Sequence, residues 1–213
     1  MAHEYAHARV ALSQGDDTAF LLGRVTLNPV KHIDPWMTLL VPALLWIQSS
    51  GKFTFGAAKP VPVDPSKFRH YVRGDLLVSL AGVTTNLLIS VGCAVVFLAL
   101  SYVGRTAPGS EGAVGVLQRM MMWGIWWNLI LCFFNLLPIP PLDGSKVFYH
   151  LLPPAVGARY KSLDKFGFLL LIALMLFGGS AISYLLTPAR YGMRLFLRVL
   201  SPYGVGGGWN IFL

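Results

Sequence analysis

The sequence opens with His3-Glu4-Tyr5-Ala6-His7, an HExxH pattern. On an α-helix, residues i and i+4 share a face, so both imidazoles can reach one zinc ion. Glu4, one residue along from His3, is then placed to act as general base toward a water at the metal. Zinc in a hydrolase also needs a third protein ligand and one open position. The candidate is Asp143, at the end of Asn135-Leu136-Leu137-Pro138-Ile139-Pro140-Pro141-Leu142-Asp143-Gly144. Position alone reads this Asp-Gly pair as a turn or an N-cap. The other acids are worse placed: Asp16, Asp17, Asp34, Asp64, Glu111 and Asp164 fall in predicted loops, and Asp75 opens a predicted helix, where capping explains it.

The elements that must carry these residues are mostly apolar. Of the 213 residues 55% are hydrophobic and 12% charged, a balance outside that of ordinary soluble domains. The formal charge of +8 does not point to nucleic acid, because the basic residues stand singly or in pairs between apolar runs, as where loops meet anionic lipid. Cys93 and Cys132 lie within apolar runs and read as small buried hydrophobes. Ionisable groups are costly in such a setting and mark function, which strengthens the metal reading of the HExxH pair.

Three runs approach or exceed the roughly 20 apolar residues a bilayer crossing needs: Leu76 to Val103, Met120 to Ile139 and Phe166 to Leu186. The first is long enough to tilt or project beyond the bilayer. Trp36 to Ile47 is short and holds Pro42, which predicts a re-entrant or interfacial segment. About a dozen residues precede the Gln14-Gly15-Asp16-Asp17 turn, so the first helix is expected to be half a helix, apparently truncated. From there to Asp75 the chain is rich in proline, glycine and β-branched residues, which predicts short strands and turns, with prolines holding any strand at an edge. Arg190, Arg194 and Arg198, set among apolar residues, predict an interfacial helix, followed by a flexible Gly204 to Gly208 tail. The expected fold class is therefore mainly α: a polytopic membrane helical bundle with a small membrane-associated β element after the first helix. The expected organisation is a core over 1–187 and an interfacial helix with a Gly-rich tail over 188–213. Lysine and arginine are denser in 51–74 and 140–165, which puts that side in the cytoplasm.

HEYAH, GRVTLNPVKHIDP, AAKPVPVDP, AGVTTN and NLLPIPPLDG follow one another in this order. Together they resemble the site-2 protease family of intramembrane zinc metalloproteases, in its compact form without a PDZ or CBS domain, over residues 1 to about 150. The resemblance implies that His3, His7 and Asp143 bind one zinc per chain and that Glu4 activates water. It also implies a Gly-Pro-x-x-Asn motif whose Asn lies near the centre. Here that motif reads Gly82-Val83-Thr84-Thr85-Asn86, without the proline, so Asn86 is a candidate oxyanion donor or substrate clamp, or else makes an interhelical hydrogen bond. Lys59, Pro60, Val61, Pro62 and Val63 would align an unwound substrate by main-chain pairing. His32 reads as a supporting or gating residue, or as a loop histidine. Members of this type have apolar sequence ahead of HExxH, whereas this chain starts almost on the motif.

The expected function is zinc-dependent endoproteolysis of transmembrane segments by a multi-pass plasma-membrane protein, with its site toward the cytoplasm. The expected partners are a transmembrane substrate and the bilayer, and no nucleic acid. A non-catalytic membrane scaffold of the same fold is the alternative. A zinc protease with a glutamate as third ligand has only Glu111 to offer. A metal transporter would have to use Asn86, Asn128 and Asn135 as its polar path.

Overall fold

The computed structural model describes all residues except 49, 52, 53, 55, 57 and 206–213, with the side chains of 175–177 also left aside. The chain divides into two compact units, Met1–Gly82 and Val83–Leu213.

In the first unit, α1 (Ala2–Gln14) is built on alanines that favour helix and pack closely; Ala8 and Ala11 are fully buried. It ends at Gly15, whose φ of 113° suits glycine and whose N–H bonds back to Leu12 O. A side chain there would also meet the Lys67 carbonyl, so this glycine serves both conformation and close approach. The 13 residues of α1 span about 20 Å. After α2 (Thr18–Leu21) come a 3-10 turn (Pro29–His32), a π-helical turn (Pro35–Leu40) and α3 (Val41–Gln48). The stretch Pro35–Gln48 is apolar and too short to cross a membrane alone, and Trp36, Leu39, Leu44, Trp46 and Ile47 are exposed along it.

No strand occurs among the described residues, so the expected β element does not form there. The physical reason lies in 59–64. Pro60 and Pro62 have no N–H to offer, while the amides of Lys59, Val61 and Asp64 donate to His32 O, Glu4 Oε2 and Asp16 Oδ2 rather than to a ladder. Asp34 and Asp64 cap the turns that follow them, as loop acids do.

A 3-10 turn (Pro65–Lys67) leads into α4 (Tyr71–Thr106), whose 36 residues reach about 54 Å. This is the one helix among the described residues long and apolar enough to cross a membrane. Its buried side is rich in small and polar groups, Ser79, Asn86, Ser90 and Ser101, while Leu80, Leu87, Leu88, Val91 and Val95 are exposed. Val78, Val83, Ala94 and Phe97 are buried on the same helix, so both polar and apolar side chains turn inward while large apolar ones remain exposed. Asp75, expected to open the helix, instead lies inside it and is buried.

In the second unit α5 (Glu111–Asn135) packs on α10 (Thr187–Leu200). Phe97, Met122, Ile125, Leu129, Ala189 and Met193 form the centre of its core. The arginines of α10 are exposed, while its stripe of Ala189, Met193 and Leu197 turns inward. Gln118 is fully buried and binds the chain after α10: its Nε2 donates to Tyr203 O (3.2 Å) and its Oε1 accepts from Val205 N (2.7 Å). Between these helices run α6 (Asp143–Leu151), α7 (Pro154–Lys161), α8 (Gly167–Phe177) and α9 (Gly179–Leu185).

Two predicted spans come out differently. Only the part of the Met120 to Ile139 run up to Asn135 is helical; it lies in α5, which also contains Gln118, Arg119 and Asn128 and stops ahead of Pro138, Pro140 and Pro141. The run from Phe166 to Leu186 breaks at Gly178 between α8 and α9, and makes a second crossing only if the bent pair counts as one span. Most of the expected flexible Gly204 to Gly208 tail lies outside the described residues.

Candidate metal centre

Helical geometry alone brings His3 and His7 to one face of α1. Packing does the rest within the first unit. His7 is buried, and its Nδ1 lies 2.7 Å from Val78 O on α4. A carbonyl can only accept, so Nδ1 carries the proton and Nε2 keeps its lone pair for a ligand. A carbonyl or carboxylate behind a ligating histidine is the usual way of fixing its tautomer and ring orientation. His7 Nε2 and His3 Nε2 converge to 2.9 Å, with the rings nearly perpendicular at 79°.

The donor pair fits zinc. With Zn–N bonds of about 2.0–2.1 Å and a tetrahedral angle, two imidazole nitrogens stand about 3.3 Å apart, so the rings need open by only a few tenths of an ångström. Room for the rings comes from Gly82 on α4, where an ideal Cβ would collide with His3 Cε1 and His7 Nε2. Gly82 was visible in the sequence only as the start of a Gly-x-x-x-Asn pattern. Its use, to let α4 approach the imidazole pair, appears only once the helices are packed.

Glu4 Oε2 accepts a hydrogen bond from Val61 N at 3.1 Å. The Val61 side chain is buried against Ala8 and Ala19. The stretch from Lys59 to Val63 thus does something the sequence did not announce: one of its amides holds the carboxylate of the HExxH motif. Lys59 and Pro60 are exposed. His32 is neither a surface loop residue nor part of the imidazole pair: it is 2% exposed, its Nε2 lies 2.9 Å from Thr26 O, and its carbonyl accepts from Lys59 N.

In the second unit Asp143 is the first residue of α6, with Leu142 as N-cap and no side-chain cap. Asp143 is therefore the residue after the N-cap rather than the N-cap itself. The turn is held by Leu142 O, which accepts from Ser145 N and Ser145 Oγ. Gly144 is buried, and a Cβ there would overlap the Leu136 and Leu137 carbonyls. Only glycine lets the start of α6 sit so near that turn. Asn86 is buried on α4, and its carbonyl accepts from Ser90 Oγ at 3.2 Å. Asn128 and Asn135 bond to the carbonyls of Gly124 and Leu131 in their own helix.

Outside the candidate metal centre, Asp16 has no exposed surface. Burial pushes its carboxyl up, but hydrogen bonds from Thr18 and the Asp64 backbone, with the Lys67 charge, outweigh that and hold it below its ordinary value. The hydrogen bond from Lys67 likewise lowers Asp17, through an exposed 2.7 Å ion pair.

Comparison with known proteins decides the family. A protein of Bacillus subtilis (strain 168) named "Putative zinc metalloprotease YwhC" is 38% identical over 206 residues, covering 94% of this chain and 88% of that protein. The chain belongs to peptidase family M50, the site-2 protease family. The family's own sequence model, Peptidase family M50, matches residues 104–178. A relative in Mycolicibacterium smegmatis named "Putative zinc metalloprotease Rip2" is 29% identical over 82% of this chain and 62% of its own length. Another from Methanocaldococcus jannaschii is 36% identical over 45% of the chain and 46% of its own length. No solved structure matches the chain. Membership of M50 and the names of these relatives agree with the zinc-type donor pair of α1.

Proposed function

We propose that this M50 chain is a zinc-dependent intramembrane endopeptidase that cuts transmembrane segments, and that it is a multi-pass plasma-membrane protein with its site toward the cytoplasmic side. The observation that carries the reading is the imidazole pair of α1, with Nε2 atoms 2.9 Å apart and His7 oriented by a carbonyl of α4. His3, His7 and Asp143 would hold the zinc. When bound, zinc supplies a Lewis acid that acidifies water and polarises a peptide carbonyl.

Glu4 takes the proton of the attacking water and returns it to the leaving amine. The Val61 N–H keeps its carboxylate aimed while it does so. Asn86 offers an amide to the developing oxyanion or to the substrate backbone. The Lys59 to Val63 stretch serves as the aligning edge: Lys59 and Pro60 anchor it through their bonds to Arg24, and the carbonyls of Val61, Pro62 and Val63 pair with the N–H groups that a locally unwound substrate exposes, an interaction strong in a medium without water. Small or helix-breaking substrate residues favour that unwinding.

The test uses the purified full chain in lipid vesicles with a panel of transmembrane peptides, with and without a chelator. Expected are stoichiometric zinc, cleavage abolished by the chelator, and a fall in rate of at least about 100-fold in Glu4→Gln with zinc retained. Asp143→Ala should lose zinc. Wild-type cleavage by Glu4→Gln would overturn the mechanism, and stoichiometric zinc with no cleavage of any peptide would leave a scaffold.

A further inference from the structure

Arg24 is a buried guanidinium in the Gly23-Arg24-Val25-Thr26-Leu27-Asn28-Pro29 stretch, and nothing in the mechanism above uses it. Its Nη1 donates to Lys31 O at 2.6 Å, and its Nη2 donates to Lys59 O at 3.1 Å and Pro60 O at 3.2 Å. The Pro60 carbonyl and the Val61 N–H belong to one peptide unit. Because that unit is planar and trans, its C=O and N–H point in opposite directions, and fixing one end fixes the other. The far end is the Val61 N–H that meets Glu4 Oε2 at 3.1 Å. A single peptide plane is thereby clamped between a guanidinium and the carboxylate of the HExxH motif, and its dipole runs the right way for both charges.

We propose that Arg24 is a positioning residue that acts on Glu4 through the Pro60–Val61 peptide, holding the carboxylate in the orientation proton transfer needs. Packing of the Val61 side chain on Ala8 and Ala19 places the segment but leaves the peptide plane free to rotate. Lys59 N bonding to His32 O tethers the preceding residue, so rotation of the 60–61 plane is the freedom that Arg24 removes. Arginine suits the task because its fork reaches the Lys31 carbonyl and the two carbonyls of 59–60 at once, whereas lysine offers a point charge.

The inference rests on the protease reading, and the test separates the two. Arg24→Gln and Arg24→Lys are made in the full chain in vesicles, alone and in a Glu4→Gln background. Four quantities are read: hydrogen exchange at the Val61 amide, kcat and KM on a cleaved transmembrane peptide, bound zinc, and thermal stability. In Arg24→Gln the Val61 amide should exchange at least about tenfold faster and kcat should fall about 10- to 100-fold, with KM and zinc within about twofold. Arg24→Lys should fall between it and the wild type. In the Glu4→Gln background the Arg24 substitution should lower kcat no further, because its effect passes through that carboxylate. Wild-type exchange and kcat in a folded Arg24→Gln variant overturn the proposal. So does an equal loss of zinc and stability in both backgrounds, which marks a merely structural residue. If Arg24→Gln does not fold, Arg24→Lys carries the same readings. If the wild type cleaves nothing, the protease reading fails, while Val61 exchange still decides whether Arg24 sets the peptide plane.

Discussion

Replacing Gly82 by alanine puts one methyl group where the His3 and His7 rings now sit. Two opposing effects act on stability. Alanine in a helix interior is favoured over glycine by about 1 kcal/mol. Against this, overpacking costs about 1–3 kcal/mol, and swinging His7 away gives up its hydrogen bond to Val78 O, worth about 1 kcal/mol. The fold should therefore lose only about 1–3 kcal/mol. The metal site should suffer more, since losing the carbonyl behind a ligating histidine weakens zinc binding about 10- to 100-fold, before any displacement of the ring nitrogens is counted. Gly92→Ala on the same helix is the control, because nothing lies within 4 Å of a Cβ at that position, and it should leave zinc affinity untouched. Zinc affinity is measured by competition with a chromophoric chelator, and helicity by circular dichroism on the same samples. Wild-type zinc affinity in Gly82→Ala would refute the claim that α4 and the imidazole pair need this glycine.

Asp16→Asn should destabilise the first unit by about 1–3 kcal/mol, since the side-chain NH2 then faces a backbone N–H where Oδ2 or Oδ1 now accepts. The folded Asp16 carboxyl lies below its ordinary 3.8, so its contribution is complete above that value and is lost as pH falls through the folded value. Thermal melts from neutral pH into acid should show the gap between wild type and Asp16→Asn closing. In the second unit Gln118→Leu removes the group that binds Tyr203 O and Val205 N; proteolysis should then clip the chain after α10 sooner, while helix content elsewhere holds.

Short-range periodicity made part of this protein legible in its sequence. Four residues separate His3 from His7, and any helix there puts both rings on one face, so the donor pair follows from local geometry. The length of the apolar run in α4 announced its helix, and Gln14-Gly15-Asp16-Asp17 announced the end of α1, because a left-handed residue and its cap are local events. Differences arose where an apolar run was taken as one unbroken element. Composition hides that α5 stops at Asn135 and that the Phe166 to Leu186 run breaks at Gly178. The prolines at 60 and 62 pointed to an edge strand, yet the amides of Lys59, Val61 and Asp64 went to side-chain and loop acceptors.

Tertiary structure alone decided how the HExxH motif is oriented. The carbonyl that fixes the His7 tautomer lies 71 residues away, and the amide that holds Glu4 lies 57 residues away. Neither leaves a side-chain signature, because the main-chain groups of Val78 and Val61 are those of any residue, and packing makes them partners. Residue type and local spacing determined which chemistry was on offer. The close approach of α4, admitted by Gly82, and the Pro60–Val61 peptide held by Arg24 determined how the histidine pair and Glu4 are aimed, since hydrogen-bond direction depends on where distant backbone comes to rest.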